Sequence, residues 1–348
     1  MKKVRIVGAG LIGTSIALAL AGKNIAVQMV DSDSSHALLA QDLAGKAFAG
    51  SAELVIFALP SSQLPNVISF EFELNPLATF MDIGSIKTKP QLEIDSYHGL
   101  AARFCGTHPM AGREIGGPEA ARADLFDGRA WIYTPSDQSD QVAIDTVIEL
   151  IHELGATAVR MGIEEHDAAV ALISHLPQIS ASLLAKQLLK GEESWVALAG
   201  QGLKDATRIA ASDPGLWEEI ISANKKEIRP LLLSLEEDLH QIIAGIDESR
   251  TVAAMIEDGR RGRERIPGKH GGRVRDYSFL PIVIEDKAGQ LAALFAECAS
   301  AGVNIEDLTI EHSPGQFTGL ITLALSRDDV TFLSQHLASH GWNVHVPR

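Results

Sequence analysis

The chain is short of cysteine, of aromatic residues and of positive charge. Only Cys105 and Cys298 occur among 348 residues, far apart in sequence. Two such thiols provide neither a disulfide framework nor metal-ligand spacing, and they suit a reducing, cytoplasmic compartment. No HExxH, calcium-loop or paired-cysteine pattern is present, so the motif inventory predicts no metal. Thirty Lys and Arg face 45 Asp and Glu, a net charge of -15. That balance argues against a nucleic-acid partner, which needs clustered cations against its phosphates. No apolar run reads as a membrane span, so no membrane partner is expected. At this length one core is insufficient, and two or three domains are expected.

Against these absences stands one dense segment. Val4–Val7 reads as a strand and is followed by Gly8-Ala9-Gly10-Leu11-Ile12-Gly13. An apolar-periodic run to Ala21 follows, then a second strand, Ile25–Val30, ending on Asp31, 18 residues beyond Gly13. Gly8 permits the tight turn, Gly10 the approach of a pyrophosphate, and Gly13 close packing of helix on strand. The helix start, at Leu11 and Ile12, offers amides to phosphate. The flanking strands and the acid meet the context that a bare GxGxxG lacks. Lys2-Lys3 before an apolar stretch resembles an export signal, but Arg5 and three glycines interrupt it. Asp31 should bond the adenosine ribose and repel a 2′-phosphate, which favours NAD over NADP, with Asp33 adding to the effect.

Strand and helix continue to alternate. Glu53–Leu59 ends at Pro60, Thr79–Ile83 at Gly84-Ser85, and Arg103–Gly106 at Thr107-His108-Pro109; Ala130–Tyr133 and Ala158–Met161 close the series, with a helix over 140–154 between them. This order predicts a doubly wound parallel α/β sheet over 1–162, with ligands at the strand C-termini. Leu59 and Pro60 then border the cofactor, while Ser85 and His108 occupy loops at the same edge. Residues 163–258 read as helical, a substrate or dimerisation domain in which Pro177 kinks or restarts the first helix. The Gly/Arg tract 259–276 reads as a solvated linker. Residues 277–348 read βαββαβ, a ferredoxin-like plait.

Three segments look chemical: Asp82-Ile83-Gly84-Ser85-Ile86-Lys87, then Gly106–Glu114, and Ser174-His175-Leu176-Pro177-Gln178 together with Lys204-Asp205-Ala206-Thr207-Arg208. An imidazole on a loop bounded by glycines suits proton acceptance near neutral pH. A guanidinium grips a carboxylate through two parallel hydrogen bonds. Each has a plainer reading as well. His108 and His175 could be satisfied packing histidines, Ser85 a helix cap, and Lys204, Asp205 and Arg208 a mixed-charge surface.

In this order, DxGSxK, GTHPMAG, ISHLP and KDxTRIAxSDP behind a glycine loop resemble the prephenate dehydrogenases, a tyrosine-pathway family that includes arogenate dehydrogenases. The carboxy-terminal order, with Asp286-Lys287-Ala288-Gly289 and Asn304-Ile305, resembles the ACT domain. The resemblance implies NAD-dependent oxidative decarboxylation of prephenate to 4-hydroxyphenylpyruvate. The alternatives are arogenate as substrate or a non-catalytic amino-acid sensor. It implies His108 as base, Ser85 beside it, and Arg208 as carboxylate anchor. Lys204, Asp205, Ser174, His175, Gln178, Arg113 and Glu114 would lie about the substrate. It further implies a homodimer and a tyrosine effector near Asp286, Gly289, Asn304 and Ile305. Gln178 stands where prephenate-specific relatives often carry histidine, which raises arogenate as the substrate, and Arg113 where many carry threonine.

Overall fold

A computed structural model describes residues 1–45, 47–112, 116–266, 277–312 and 317–348. The chain divides into two compact units, Met1–Glu237 and Asp238–Arg348. The first begins with β1 (Lys3–Val7), α1 (Leu11–Ala21), β2 (Ala26–Val30), α2 (Ser34–Ala44), β3 (Leu54–Phe57), α3 (Leu64–Leu74), β4 (Thr79–Asp82), α4 (Thr88–Asp95), β5 (Phe104–Pro109), β6 (Ala130–Thr134), α5 (Gln141–Glu153) and β7 (Thr157–Arg160). These strands form one sheet in the order β2-β1-β3-β4-β5-β6-β7. Every residue of β3 and β4 is buried, because helices cover both faces. Leu54 and Ile56 join one core while Val55 and Phe57 join the core on the opposite face, as period-two alternation requires.

The sheet is not wholly parallel. β1 to β5 run parallel, but β6 is antiparallel to β5, and β7 is parallel to β6. A parallel neighbour needs a crossover of a dozen or more residues, usually a helix. Only a 3-10 turn, Pro118–Ala120, is formed among the described residues between β5 and β6, so the strand returns in the opposite sense. The expectation of a fully parallel sheet is corrected here. His108 also lies within β5 and not in the loop beyond it. The chain order reverses between β1 and β3, which places the glycine turn at the switch point where such sheets take ligands.

Helices α6 (Ile163–Val170), α7 (Leu176–Gln187), α8 (Glu193–Val196), α9 (Gln201–Thr207), α10 (Pro214–Ala223), α11 (Lys225–Ala244) and α12 (Ser249–Glu264) follow. The seam expected at 162/163 lies inside the first compact unit, because helices after it are bonded into the sheet domain. Ser61 Oγ and the Ser62 amide, for example, both donate to Glu219 Oε1 at 2.9 Å. The α-helix restarts at Leu176 with Pro177 in the first turn of α7, while the helical stretch stays continuous from Ile163 to Lys190. Ala171–His175 forms a π turn in which the Leu176 amide reaches back to the Ala171 carbonyl. This widening absorbs the prolyl ring and the missing donor, as π bulges do at functional sites.

Ile163–Lys190 is also a continuous helical stretch long and apolar enough, by length and composition, to cross a membrane. That corrects the expectation that no such stretch exists. His175, Pro177 and Gln178 interrupt the apolar run in sequence and concealed it. The same stretch sends Asp167 and His175 into the buried network described below. The tract expected to be a linker from 259 is helical as far as Glu264. Arg260 pairs with Glu257 and Glu264, and Arg261 with Asp258, at helical i,i+3 and i,i+4 spacings that support a helix through its two glycines. Residues 267–276 of that tract lie outside the described residues.

The second unit ends in β8 (Ser278–Glu285), α13 (Gln290–Ser300), β9 (Asp307–His312), β10 (Thr318–Leu325), α14 (Arg327–Ser339) and β11 (Asn343–Val344). Its sheet is antiparallel, ordered β11-β8-β10-β9. Leu294 and Cys298 of α13, Leu333 and Leu337 of α14, and Leu280, Ile282 and Leu323 of the strands share one core.

Candidate active site

The glycine turn is built as its sequence requires. Gly8 has φ +117°, and a Cβ there would lie 2.1 Å from the Ala58 carbonyl oxygen; at Gly13 it would lie 2.2 Å from that of Gly8. A side chain at Gly10 would meet nothing within 4 Å, so the second glycine leaves an open approach. No side chain caps α1 and no acid lies in its first turn. The amides of Leu11 and Ile12 therefore face an uncontested anion position. Asp31 accepts from the Ala9 amide at 2.6 Å and the Asp33 amide at 2.9 Å, fixing its carboxylate beside the turn. Asp33 is engaged otherwise: it caps α2 by accepting from Ser35 and His36, and those hydrogen bonds hold its carboxyl below the usual range. These residues fit a dinucleotide. Leu59 and Pro60 follow β3 at the same edge, directly after the backbone that Gly8 touches.

The ends of β4 and β5 are joined by a buried ion pair. The Lys87 ammonium contacts Asp82 Oδ2 and donates to the Thr107 carbonyl at 2.5 Å. Asp82 in turn accepts from the Gly84 amide at 3.0 Å and the Thr107 amide at 3.2 Å. Burial pushes the Lys87 ammonium down, against the opposing pull of Asp82 and Asp167. The DxGSxK segment is thus a clamp across two strand ends. Between them it holds Ser85, half-buried, and on the next residue His108.

His108 is one end of a chain of three. Its Nδ1 is 2.9 Å from His166 Nε2, and His166 Nδ1 is 2.8 Å from Asp167 Oδ1. A carboxylate only accepts, so His166 donates from Nδ1. With its hydrogen on Nδ1, the His166 ring accepts at Nε2 from His108 Nδ1–H, which leaves the lone pair of His108 on Nε2. Burial, then the neighbouring His166, Lys87 and His175, holds His108 well below the ordinary imidazole range. It is therefore a neutral acceptor at physiological pH.

Asp167 also takes the Lys87 amide at 2.7 Å and the Thr88 amide at 2.8 Å. It caps α4 from another helix, a role the sequence assigned to Ser85 as the alternative. Burial pushes Asp167 up, but the hydrogen bonds from His166, Thr88 and Lys87 outweigh it and hold the carboxyl at about 2. His175 is buried, 3.2 Å from Asn224 Nδ2 and edge-on to Trp217, and Asn224 Nδ2 also donates to the Asp167 carbonyl at 2.8 Å. Burial holds His175 at about 4.

Two consequences for stability follow from linkage. His175, neutral when folded, takes up a proton on unfolding between its ordinary 6.5 and about 4, so that contribution fades as pH falls through this window. Asp167 adds a second loss between 3.8 and about 2. His108, also held below its ordinary value, adds to the first loss. Urea midpoints should therefore decline in two stages as pH falls below 6.5, and His175→Asn should make the first shallower without removing it.

Two family models match: "Prephenate dehydrogenase, nucleotide-binding domain" over residues 16–160 and "Prephenate dehydrogenase, dimerization domain" over 163–255. The chain belongs to the prephenate dehydrogenase family. It is 28% identical to a probable prephenate dehydrogenase, NovF, of Streptomyces niveus, covering 98% of this chain and 99% of that protein. It is also 28% identical to the prephenate dehydrogenase of Bacillus subtilis, covering 94% and 92%. The crystal structure of prephenate dehydrogenase from Aquifex aeolicus in complex with hydroxyphenyl propionate and NAD+ superposes with TM-score 0.68 at 28% identity, over 76% of this chain and 98% of that one. Synechocystis arogenate dehydrogenase shares the fold, with TM-score 0.64 at 23% identity, over 76% and 99%.

The remaining positions expected from the family motifs are placed unevenly. Arg208 begins a 3-10 turn, Arg208–Ala211, after α9 and is exposed, as are Lys204 and Asp205. Gln201 donates to Asp205 at 2.7 Å. Gln178 is buried, donating to the Ile209 carbonyl at 2.9 Å while Ser212 Oγ lies 3.4 Å from its Oε1. Its amide is consumed in bracing the turn that carries Arg208, a role the sequence did not assign. Ser174 lies in the π turn, half-buried. Arg113 and Glu114 lie outside the described residues.

In the C-terminal module, Asp286 and Gly289 follow β8, and the Asp286 amide bonds Phe317; the Glu306 amide, beside Asn304 and Ile305, bonds Ala324. Those partners lie near opposite ends of β10, about 23 Å apart at the usual rise per residue. One copy of the module does not bring the four positions together.

His166 and Asp167 were missed in the sequence. They sit in Glu164-Glu165-His166-Asp167, which reads as an ordinary acidic first helical turn. The signal was a histidine among those acids, with nothing local to say which face is buried.

Proposed function

We propose that the protein catalyses NAD-dependent oxidative decarboxylation of prephenate to 4-hydroxyphenylpyruvate. The observation that carries this reading is the Asp167–His166–His108 chain at the strand edge shared with the glycine turn, in a member of this family. Bound NAD supplies the acceptor for hydride. His108 Nε2 takes the proton of the ring hydroxyl as hydride leaves the carbon bearing it. The resulting dienone releases its ring carboxylate as carbon dioxide, and the electrons of that bond complete the aromatic ring. Positioning and one base suffice for this step. Ser85 lies on the loop beside His108 and would bond the same hydroxyl. Arg208 would hold a substrate carboxylate, with Lys204, Asp205, Ser174 and His175 about it.

Arg208→Ala should raise the KM for substrate by roughly 10- to 100-fold, the scale of a lost charge-assisted pair, while changing kcat little. Initial rates across substrate concentration check this, and an unchanged KM removes its anchoring role. Initial rates with prephenate and arogenate, each with NAD and NADP, test the whole reading. Faster NADH formation with prephenate supports it, faster turnover of arogenate moves the substrate, and no turnover of either leaves a sensor.

The exposed apolar residues Leu172, Ile173, Leu183 and Leu184 on the stretch from α6 to α7, within the part matched by the dimerization model, support a homodimer. Two free, buried cysteines are in keeping with a cytoplasmic site. The C-terminal βαββαβ module is read as a ferredoxin-like ACT domain taking tyrosine. Because Asp286 and Gly289 lie far from Asn304 and Ile305 in one copy, an effector touching both sets would bridge two copies. If tyrosine changes neither the rate nor the melting temperature, regulation by it is discarded.

A further inference from the structure

The sequence offers no metal motif, yet the C-terminal module assembles three side chains of ligand type, none of them part of the Asp167–His166–His108 chain. Glu297 projects from α13, and His336 and His340 lie one helical turn apart on α14. One ligand atom from each lies within 4.8 Å of the others. His336 Nε2 is 3.1 Å from Glu297 Oε2, and the two imidazole rings are 4.3 Å apart between centroids. Their placement is set by the module core. Leu294 and Cys298 anchor α13, while Leu333 and Leu337 anchor α14 on either side of His336.

The tautomer of His340 is fixed as well. Its Nδ1 lies 2.8 Å from the His336 carbonyl oxygen, which can only accept. Nδ1 therefore carries the hydrogen, and the lone pair is on Nε2. Histidines that bind metals are held in this way, by donation of the other ring N–H to a carbonyl or carboxylate. A structural Glu–His pair explains Glu297 and His336, but it gives no part to His340.

We propose that Glu297, His336 and His340 form a binding site for a divalent transition ion of the zinc class, joining α13 to α14. Two imidazoles and one carboxylate are the donors zinc and cobalt prefer, whereas magnesium and calcium take oxygen ligands. His340 is exposed, so a fourth position is open to water. The site takes no part in hydride or proton transfer.

The test uses the full-length protein, stripped with a chelator and titrated with zinc against a chromophoric competitor, then with cobalt to read the visible bands of the bound ion. One ion per chain should bind at this site, and zinc should raise the melting temperature. Loss of an outer partner weakens metal sites by about 10–100-fold, so loss of a ligand should cost at least that. Glu297→Gln, His336→Gln and His340→Gln should each weaken binding to that degree and abolish the zinc-dependent rise in melting temperature. Glu297→Gln preserves volume and fold, and it should leave NADH formation by the metal-free enzyme unchanged. Failure of the native protein to bind zinc at millimolar concentration overturns the proposal. So does undiminished uptake by a folded His336→Gln/His340→Gln protein.

Discussion

Asparagine at position 108 should lower kcat by about 10²- to 10⁴-fold, the usual contribution of a positioned base, while KM for substrate and cofactor stays near the native value. Asparagine retains hydrogen-bonding capacity without accepting a proton at neutral pH, so the loss falls on the chemical step. The native kcat/KM should run level through neutrality and fall only in acid, below the ordinary imidazole value of 6.5. Burial and the neighbouring His166, Lys87 and His175 hold His108 down, and the protonated form is the inactive one. Steady-state rates of NADH formation across pH check both points. A rise in KM with little change in kcat would make His108 a binding group, and an acid limb at or above 6.5 would contradict the depressed ionisation.

Removal of the Lys87 ammonium should have the largest effect on stability. Lys87 is buried, and Lys87→Met leaves the Asp82 carboxylate buried with, among the described residues, the Gly84 and Thr107 amides as its donors. Breaking a buried pair from one side costs about 3–5 kcal/mol. For a unit of this size that is a fall in melting temperature of roughly 6–20 °C. Adding Asp82→Asn should recover part of the loss, because the leftover charge is then gone while an acceptor for those amides remains. Calorimetry on the two variants decides it: equal melting of native and Lys87→Met protein would show that the pair contributes nothing. Turnover should fall alongside, since the Thr107 carbonyl that Lys87 holds precedes His108.

The nucleotide half was legible because its signals are local. Glycines at 8 and 13 are demanded by contacts with nearby backbone, and the short apolar runs bounded by turns at 54–57 and 79–82 form strands. The direction of β6 was not legible, because it depends on the absence of a crossover helix after β5. Pro177 was seen, but a proline in a helical pattern says only that one hydrogen bond is lost, and the π turn that absorbs the loss depends on packing. At Gly259–Glu264 composition suggested a linker, yet side-chain pairs at helical spacing held the segment in a helix.

The sequence by itself determined the dinucleotide turn, the family and the position of the imidazole proposed as base, since each is written in residues close along the chain. Only the tertiary structure decided which groups govern that imidazole. His166 and Asp167 are 58 and 59 positions beyond His108, on a helix whose buried face no local pattern reveals. The proposed proton acceptance at Nε2 rests on a carboxylate reached through an intervening ring, and such a chain exists only when β5 and α6 are packed together.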